Sequence, residues 1–325
     1  MDPLSDVLSL LKPRSYAAGG FDCGPDISIQ FHRHDGIKCY AVVSGACWLE
    51  VEGAAAAVRL TAGDCFLLPR GWPFRLASDL SLPSIDSRTL FPAVRRGGFL
   101  VINGGGGCFI VGGHFAVDGR HAGILLAGLP PIIHIRDEAD RAALRWSMDR
   151  MRQELRDPQP GAFLMTQHLA QMMLVQALRA HLAQGAKASG GGDVGWLFAL
   201  ADPRMGAAIA ALHADPARRW TLQALAAHVG MSRSSFALRF KGMVGTAPME
   251  YLARWRMLLA GDRLAHGGEP VSTIALSLGY ESESAFSTAF KRVMGCSPRQ
   301  YGRGAGQAVH APEWESRPAP ALVAE

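Results

Sequence analysis

A segment of about fifty residues occurs twice in the last third of this 325-residue chain, and the repeat restricts what that third can fold into. The first copy, LAAHVGMSRSSFALRFKGMVGTAPMEY, runs from Leu225 to Tyr251, and the second, IALSLGYESESAFSTAFKRVMGCSPRQY, from Ile274 to Tyr301. Ala226 matches Ala275, Gly230 matches Gly279, Phe236 matches Phe286 and Phe240 matches Phe290, with a one-residue slip in the turn between. Lys241 and Lys291, Gly245 and Gly295, Pro248 and Pro298, and Tyr251 and Tyr301 complete the match. Two copies are too few to stack into a solenoid. Each copy instead predicts a helix, a turn and a second helix. Leu225, Ala226 and Val229 give a short helix an apolar face, Gly230 ends it, and Ser232 is placed to cap the next. Phe236 and Phe240, four residues apart, share the face that packs on the preceding helix. Pro248 opens a longer helix, to about Ala265, that joins the copies.

In a helix-turn-helix the second helix enters the major groove, so positions turned away from the aromatic anchors meet base edges. These are Arg233, Ser234, Ala237 and Leu238 in the first copy, and Glu283, Ser284, Ser287 and Thr288 in the second. Charge agrees with this placement. Residues 201–301 carry 12 Lys and Arg against 7 Asp and Glu, whereas residues 1–200 carry 19 against 18. Arg239, Lys241, Arg254, Arg256, Lys291 and Arg292, with Arg233, are the candidate phosphate contacts, and they supply affinity that does not depend on base sequence. A plain helical bundle would also use Phe at i and i+4, but it does not explain the duplicated turn glycines or the local charge.

Residues 202–301 resemble the DNA-binding domain of the AraC family of transcription regulators. The resemblance is carried by LAAHVGMSRSSFALRFK, by PMEYLARWRM, and by the G-Y-x-S-x-S-x-F-x-x-x-F-K core and closing S-P-x-x-Y of the second copy. Such proteins often hold Arg at the positions of Leu238 and Thr288, so the bases they read do not transfer to this chain.

The first half has a different texture. Short β-branched or alternating runs, ISIQFH, CYAVVSG, CWLEVEG, AVRLTAG and CFLLP, fall between Ile27 and Phe74. Turns are expected at Asp35-Gly36, Ser44-Gly45, Glu52-Gly53 and Ala62-Gly63. Further runs cover Gly98 to Asn103, Cys108 to Val117 and Ile132 to Ile135. GDCFLLPRGWPF, Gly63 to Phe74, resembles the second cupin motif, and His32-Arg-His34 resembles part of the first. The fold expected is therefore α+β with two domains. The N-terminal domain is a cupin-like antiparallel β-barrel with flanking helices, and the C-terminal one is all-α with two helix-turn-helix units. The boundaries expected are 1–135 for a cupin-like effector-sensing domain, 136–184 for a helical pair, 185–193 for a flexible linker, 194–301 for the DNA-binding domain and 302–325 for a disordered tail.

The helical pair reads as Glu138 to about Leu155 and Phe163 to about Gln184, separated by Asp157-Pro158-Gln159-Pro160-Gly161. Its Leu and Met stripes suit core packing, and the resemblance implies a homodimer contact there. Val7 to Leu11 is expected as an amphipathic helix docked on the first domain, and Asp202-Pro203 as the start of a helix. No run approaches the ~20 apolar residues of a membrane helix, the N-terminus has no basic leader, and six scattered cysteines suit a cytoplasmic protein without disulfides.

Catalytic cupins converge two His, a carboxylate and a third His on one metal. Here His32 and His34 are spaced to chelate from one strand face, but Lys38 stands at the carboxylate position and Phe74 at that of the third His. His114 and His121 are the remaining ligands that could join them on a metal. The expectation is no metal, no cofactor and no catalytic residue, the alternative being a metal-binding cupin enzyme fused to a DNA-binding module. His32, His34 and Lys38 become candidates for an effector pocket. Cys23, expected in an exposed loop between Asp22 and Gly24, is the candidate for oxidant sensing, and the resemblance lends that reading support. Cys39, Cys47, Cys65 and Cys108 read as inert core thiols. The function expected is a DNA-binding transcription regulator, an activator contacting RNA polymerase, controlled by a small molecule or oxidant. Its partners are double-stranded DNA, the polymerase, the effector and a second copy, with no membrane.

Overall fold

The computed structural model describes residues 2–90, 98–117, 126, 129–187, 195–266 and 268–305. In the first half, strands β1 (Arg14–Cys23), β2 (Ser28–Phe31), β3 (Ile37–Val51), β4 (Val58–Thr61), β5 (Cys65–Leu68) and β6 (Phe74–Ala77) come first. They are followed by β7 (Ile85–Asp86), β8 (Phe99–Ile102), β9 (Cys108–Ala116) and β10 (Ile133–Ile135). The path β7-β2-β6-β3-β9-β1-β8 curls back on itself, with β4 and β5 also on β3 and β10 on β5. Pairing is antiparallel except for β1 with β8 and β2 with β7.

Alternation along the strands separates two cores. On β5, Phe66 and Leu68 point into the barrel with Ile29, Leu49, Phe74 and Ile110, while Cys65 and Leu67 point outward onto helices. Both faces are buried, which is why CFLL reads as an unbroken apolar run. The outer cover is α3 (Glu138–Arg156) and α4 (Ala162–Lys187), which bring Leu144, Met148, Met151, Leu169 and Met173 to the sheet. Helix α4 continues three residues past the expected end of the pair, and residues 188–194 lie outside the described residues.

Two expectations change here, and one strand gave no sequence signal. Ser44-Gly45 is not a turn: β3 runs straight through it. A bulge falls at Val43, between Val42 and Ser44, and Gly45 follows it at φ +79°, where the strand changes partners from β9 and β5 to β4 and β6. The strand β1 was hidden by its SYAAGG composition; a Cβ on Gly19 would strike the carbonyl oxygen of Gly98, so close strand approach requires the glycine. Finally, the N-terminal helix α1 (Pro3–Leu11), capped by Asp2, docks on the C-terminal half and not on its own barrel.

That C-terminal half contains α5 (Trp196–Ala199), α6 (Pro203–Ala214), α7 (Leu222–His228), α8 (Arg233–Val244), α9 (Pro248–His266), α10 (Val271–Ser277), α11 (Glu283–Met294) and α12 (Pro298–Ala305). Helix α2 (Ser87–Leu90) is a single turn in the first half. The contact with α1 is polar as well as apolar. With its ring neutral, His213 donates from Nδ1 to Asp6 (3.3 Å) and accepts at Nε2 from the Tyr251 hydroxyl (2.9 Å), while lying flat on Trp255 at 3.7 Å. Burial holds His213 down to about 3, so the ring stays neutral, and burial also pushes Asp6 upward. Lys12, just past the helix, pairs with Asp262 of α9 at 2.6 Å. A two-residue step after α1 leads directly into β1.

Helix α9 carries two apolar stripes. Leu252, Trp255 and Leu258 close the core of the first repeat with Phe236 and Phe240, and Met257 and Ala260 close that of the second with Phe286, Phe290 and Tyr301. A helix that must bury opposite faces has little amphipathic periodicity, and this one joins two cores as a single rod.

Candidate functional site

Each repeat builds its exposed helix by the same local chemistry. Gly230 (φ +65°) and Gly279 (φ +79°) take the left-handed turn that ends α7 and α10. Ser232 then accepts from the Ser235 amide and Ser282 from the Ala285 amide, starting α8 at Arg233 and α11 at Glu283. Phe236, Phe240, Phe286 and Phe290 are completely buried, so the opposite face of each helix is left in solvent. On α8 that face presents Arg233, Ser234 and a 78% exposed Leu238, with Ala237 half-buried at its border. On α11 it presents Ser284 and Thr288, with Ser287 and Glu283 half-buried. The Thr288 hydroxyl donates to the Ser284 carbonyl (3.0 Å), and Glu283 pairs with Arg299 of α12 at 3.6 Å. An aliphatic side chain as exposed as Leu238 gains nothing from packing within this chain, and it matches the apolar surface of a thymine methyl.

The candidate phosphate contacts divide. Lys241, Lys291 and Arg292 are exposed on the later turns of α8 and α11. Arg239 instead pairs with Asp202, the carboxylate that caps α6, and Arg254 pairs with Glu250 one turn back at 2.6 Å. Arg256 is a structural residue: its guanidinium donates to the carbonyls of Pro216 (2.6 Å) and Arg218 (2.9 Å) and lies against the Tyr280 ring. It was expected to face DNA because a sequence shows charge but not the carbonyls that fold back onto it.

Arg256 belongs to a contact between the two units that sequence reasoning missed. The loop from Asp215 to Trp220 packs on the turn of the second repeat. Arg219 pairs with Glu281 at 2.9 Å, and the Gly279 α-carbon sits so close to the Ala217 carbonyl oxygen that a Cβ would collide with it. Nothing lies within 4 Å of the corresponding point on Gly230. The repeat marked Gly279 as a turn glycine; its second task, fixing one unit against the other, left no separate signal.

In the N-terminal half the His-x-His pair does not converge. β2 ends at Phe31, so His32 and His34 lie in the following loop and not on one strand face. His32 is turned outward to Asp86 (2.9 Å) and Arg88 (2.7 Å). His34 is turned inward, its ring edge-on to His114 at 5.1 Å, while His121 lies outside the described residues. Lys38, the register partner of His114, is buried with its ammonium 4.9 and 4.7 Å from the Phe31 and Phe74 ring centres. Burial pushes Lys38 down to about 7, and burial with the Lys38 charge holds both His34 and His114 to about 3. A lysine beside these imidazoles repels a cation where a cupin enzyme places a carboxylate, so these residues suit an organic ligand better than a metal.

Cys23 is not in an exposed loop. It is the last residue of β1, 4% exposed and opposite Cys108 on β9. Burial pushes its thiol up to about 12, with the charges of Cys108 and Asp22 adding to the effect, so Cys23 is the wrong thiol to start oxidation. Cys39 and Cys65 are completely buried, 4.0 Å apart, on the outer face of the barrel.

Comparison with known proteins agrees with the geometry. A cupin family matches residues 2–183, and a helix-turn-helix domain family matches residues 225–304. AraC-like transcription regulators of Streptomyces lividans and Streptomyces antibioticus are 41% and 40% identical over 302 residues, spanning 93% of this chain and 98% of each relative. The RCS-specific HTH-type transcriptional activator RclR of Escherichia coli is 27% identical over 93% of this chain and 97% of its own length. With a cupin domain before two helix-turn-helix units on one connecting helix, this chain belongs to the AraC family of transcription regulators.

Proposed function

We propose that the two units read two different half-sites of one duplex, and that the barrel controls them in response to a bound molecule. The observation that carries this reading is the pair of exposed, unlike faces on α8 and α11, held by one helix and one interunit contact. Arg233, Ser234, Ala237 and Leu238 address one half-site, and Glu283, Ser284, Ser287 and Thr288 the other. Lys241, Lys291 and Arg292 supply phosphate contacts. Consecutive turns on one duplex face lie about 34 Å apart, which lets one protomer occupy two adjacent major grooves.

In this reading the regulator acts as a cytoplasmic homodimer and activates by contacting RNA polymerase; the RclR relative is named a transcriptional activator. Trp146 on α3 and Phe163, Leu164, Met165 and Met172 on α4 are 40–61% exposed, an apolar face suited to a second copy. Its relatives are regulators by name, and the Lys38 site favours binding over catalysis. Among the described residues no helix is long and apolar enough to cross a membrane. At matched salt, a gel-shift competition is expected to show the operator upstream of a regulated gene displaced at least a hundredfold less readily by unrelated DNA than by itself. Equal competition would reduce the protein to a sequence-independent DNA binder.

A further inference from the structure

The barrel interior holds one charge that the chain itself does not pair. Lys38 is 8% exposed, and among the described residues its ammonium makes no hydrogen bond and no ion pair. Burial alone shifts it, with no carboxylate close enough to act on it. The other buried charged side chains, Asp64 and Glu154, are paired with Arg141 and Arg150. A buried charge without a partner costs folding free energy, so its retention calls for a partner from outside the chain.

The surroundings of Lys38 say what that partner is. Phe31 and Phe74 stack with centres 4.4 Å apart, and the ammonium lies 4.9 and 4.7 Å from those centres. In register Lys38 stands opposite Leu68 of β5 and His114 of β9. The ring of His34 is 6.1 Å from that of Phe74 and 5.1 Å from that of His114. Both its nitrogens are buried without a hydrogen-bond partner; the Asp35 backbone, though near, falls short of hydrogen-bond geometry. The Lys38 charge reaches both imidazoles, which stay neutral. One ammonium among neutral rings balances one negative charge. A phosphate dianion or a dicarboxylate would bring in a second, uncompensated charge, and a sugar would leave most of its hydroxyls against aromatic rings.

We propose that the barrel binds a monocarboxylate with an apolar body, its carboxylate shared between Lys38 and His34 and its body against Phe31, Phe74 and Leu68. The proposal rests on reading the N-terminal domain as the sensing half, and it names the class of molecule sensed. A neutral imidazole carries one N–H, so His34 donates to one carboxylate oxygen while the ammonium holds the other by a charge-assisted bond. The bound carboxylate opposes the effect of burial on Lys38 and keeps it charged. The site also lies beside the connection between the two halves. His114 pairs with Lys38 on one side and with Ala17, near the start of β1, on the other. From there β1 leads back to α1 and its contacts with Asp262 and His213.

The test titrates butyrate, octanoate and benzoate into the full chain by calorimetry, and operator affinity is read on the same samples. Benzamide is the uncharged match for benzoate, and chloride and phosphate at equal ionic strength are the inorganic controls. The expected result is saturable binding of at least one of the acids and of none of the controls. Lys38→Met, which keeps the length of the side chain and removes a buried charge, is expected to melt no lower than the parent. It should bind the same acid at least about thirtyfold more weakly, the loss that follows when one partner of a buried charge pair is removed. His34→Leu should weaken the acid as well. Binding of none of the acids, benzamide binding as tightly as benzoate, or full affinity in Lys38→Met would overturn the site. Chloride or phosphate binding as tightly as the acids would assign Lys38 to an inorganic ion and overturn the organic acid. The comparison of benzoate with benzamide on the parent chain does not depend on whether either variant folds. Carboxylate binding that needs Lys38 and leaves operator affinity unchanged would uphold the site and overturn the sensing reading.

Discussion

Ser284→Glu is expected to lower affinity for the operator at least a hundredfold while leaving the melting temperature within about 2 °C of the parent. Ser284 is the second residue of α11 and is exposed. An acidic side chain in the first turn of a helix is favourable to that helix, so the substitution does not unfold the unit. Against DNA the same carboxylate would meet base-edge acceptors and flanking phosphates, and like-charge contact at an interface costs several kcal/mol. Each 1.4 kcal/mol is about a factor of ten, so about 3 kcal/mol gives the hundredfold loss. Fluorescence anisotropy on the operator at matched salt, beside a thermal melt, separates binding from folding. Full affinity in the variant would mean that α11 does not enter the groove by this face.

The second large effect is at the joint between the units. Gly279→Ala is expected to cost about 3 kcal/mol or more, against about 1–2 kcal/mol for Gly230→Ala. Both glycines hold left-handed backbone, at φ +79° and +65°, so both substitutions pay the conformational penalty of an L-residue there. At Gly279 the new Cβ also collides with the Ala217 carbonyl oxygen, which is backbone and cannot rotate away, while the space at Gly230 is open. Relieving the collision moves the loop that Arg256 and Arg219 hold, and with it the angle between α8 and α11. Urea unfolding of the two variants measures the difference, and operator affinity should fall far more for Gly279→Ala than for Gly230→Ala. Equal costs at the two positions would show that the interunit contact contributes nothing.

The contrast between these glycines shows where legibility ended. A turn glycine, a capping serine and phenylalanines at i and i+4 are local devices, and where they coincide twice the helix-turn-helix units follow from the chain alone. The apolar runs of β5 and of Cys108 to Val111 in β9 were equally plain, because burial on both faces leaves no polar position to confuse. What failed depended on distant partners. Gly45 resembles a turn residue until β4 and β6 claim the strand beyond it. The thiol of Cys23 looks exposed between Asp22 and Gly24 until β9 is laid beside it. Val7 to Leu11 declared an amphipathic helix, but nothing in its own pattern said that Asp6 would find His213, more than two hundred residues on. Arg256 carried its charge openly and its carbonyl partners not at all.

The docking of α1 gives the sensing reading a physical route. β1 connects the Asp6–His213 and Lys12–Asp262 contacts at one end to the barrel interior, where Cys23 lies opposite Cys108 of β9, at the other. A ligand shifts such a system only by favouring one arrangement of strand and helix over another. A molecule bound equally well by both arrangements would leave DNA affinity unchanged.

In the proposed arrangement one protomer carries two unlike readers in fixed order. Selection of high-affinity duplexes from a random library, followed by footprinting of the winners, tests it directly. The expected result is one asymmetric consensus, two dissimilar half-sites about one helical turn apart on the same duplex face, always in the same order. Recovery of two identical or inverted half-sites within one protomer's footprint, or of no consensus at all, would contradict it.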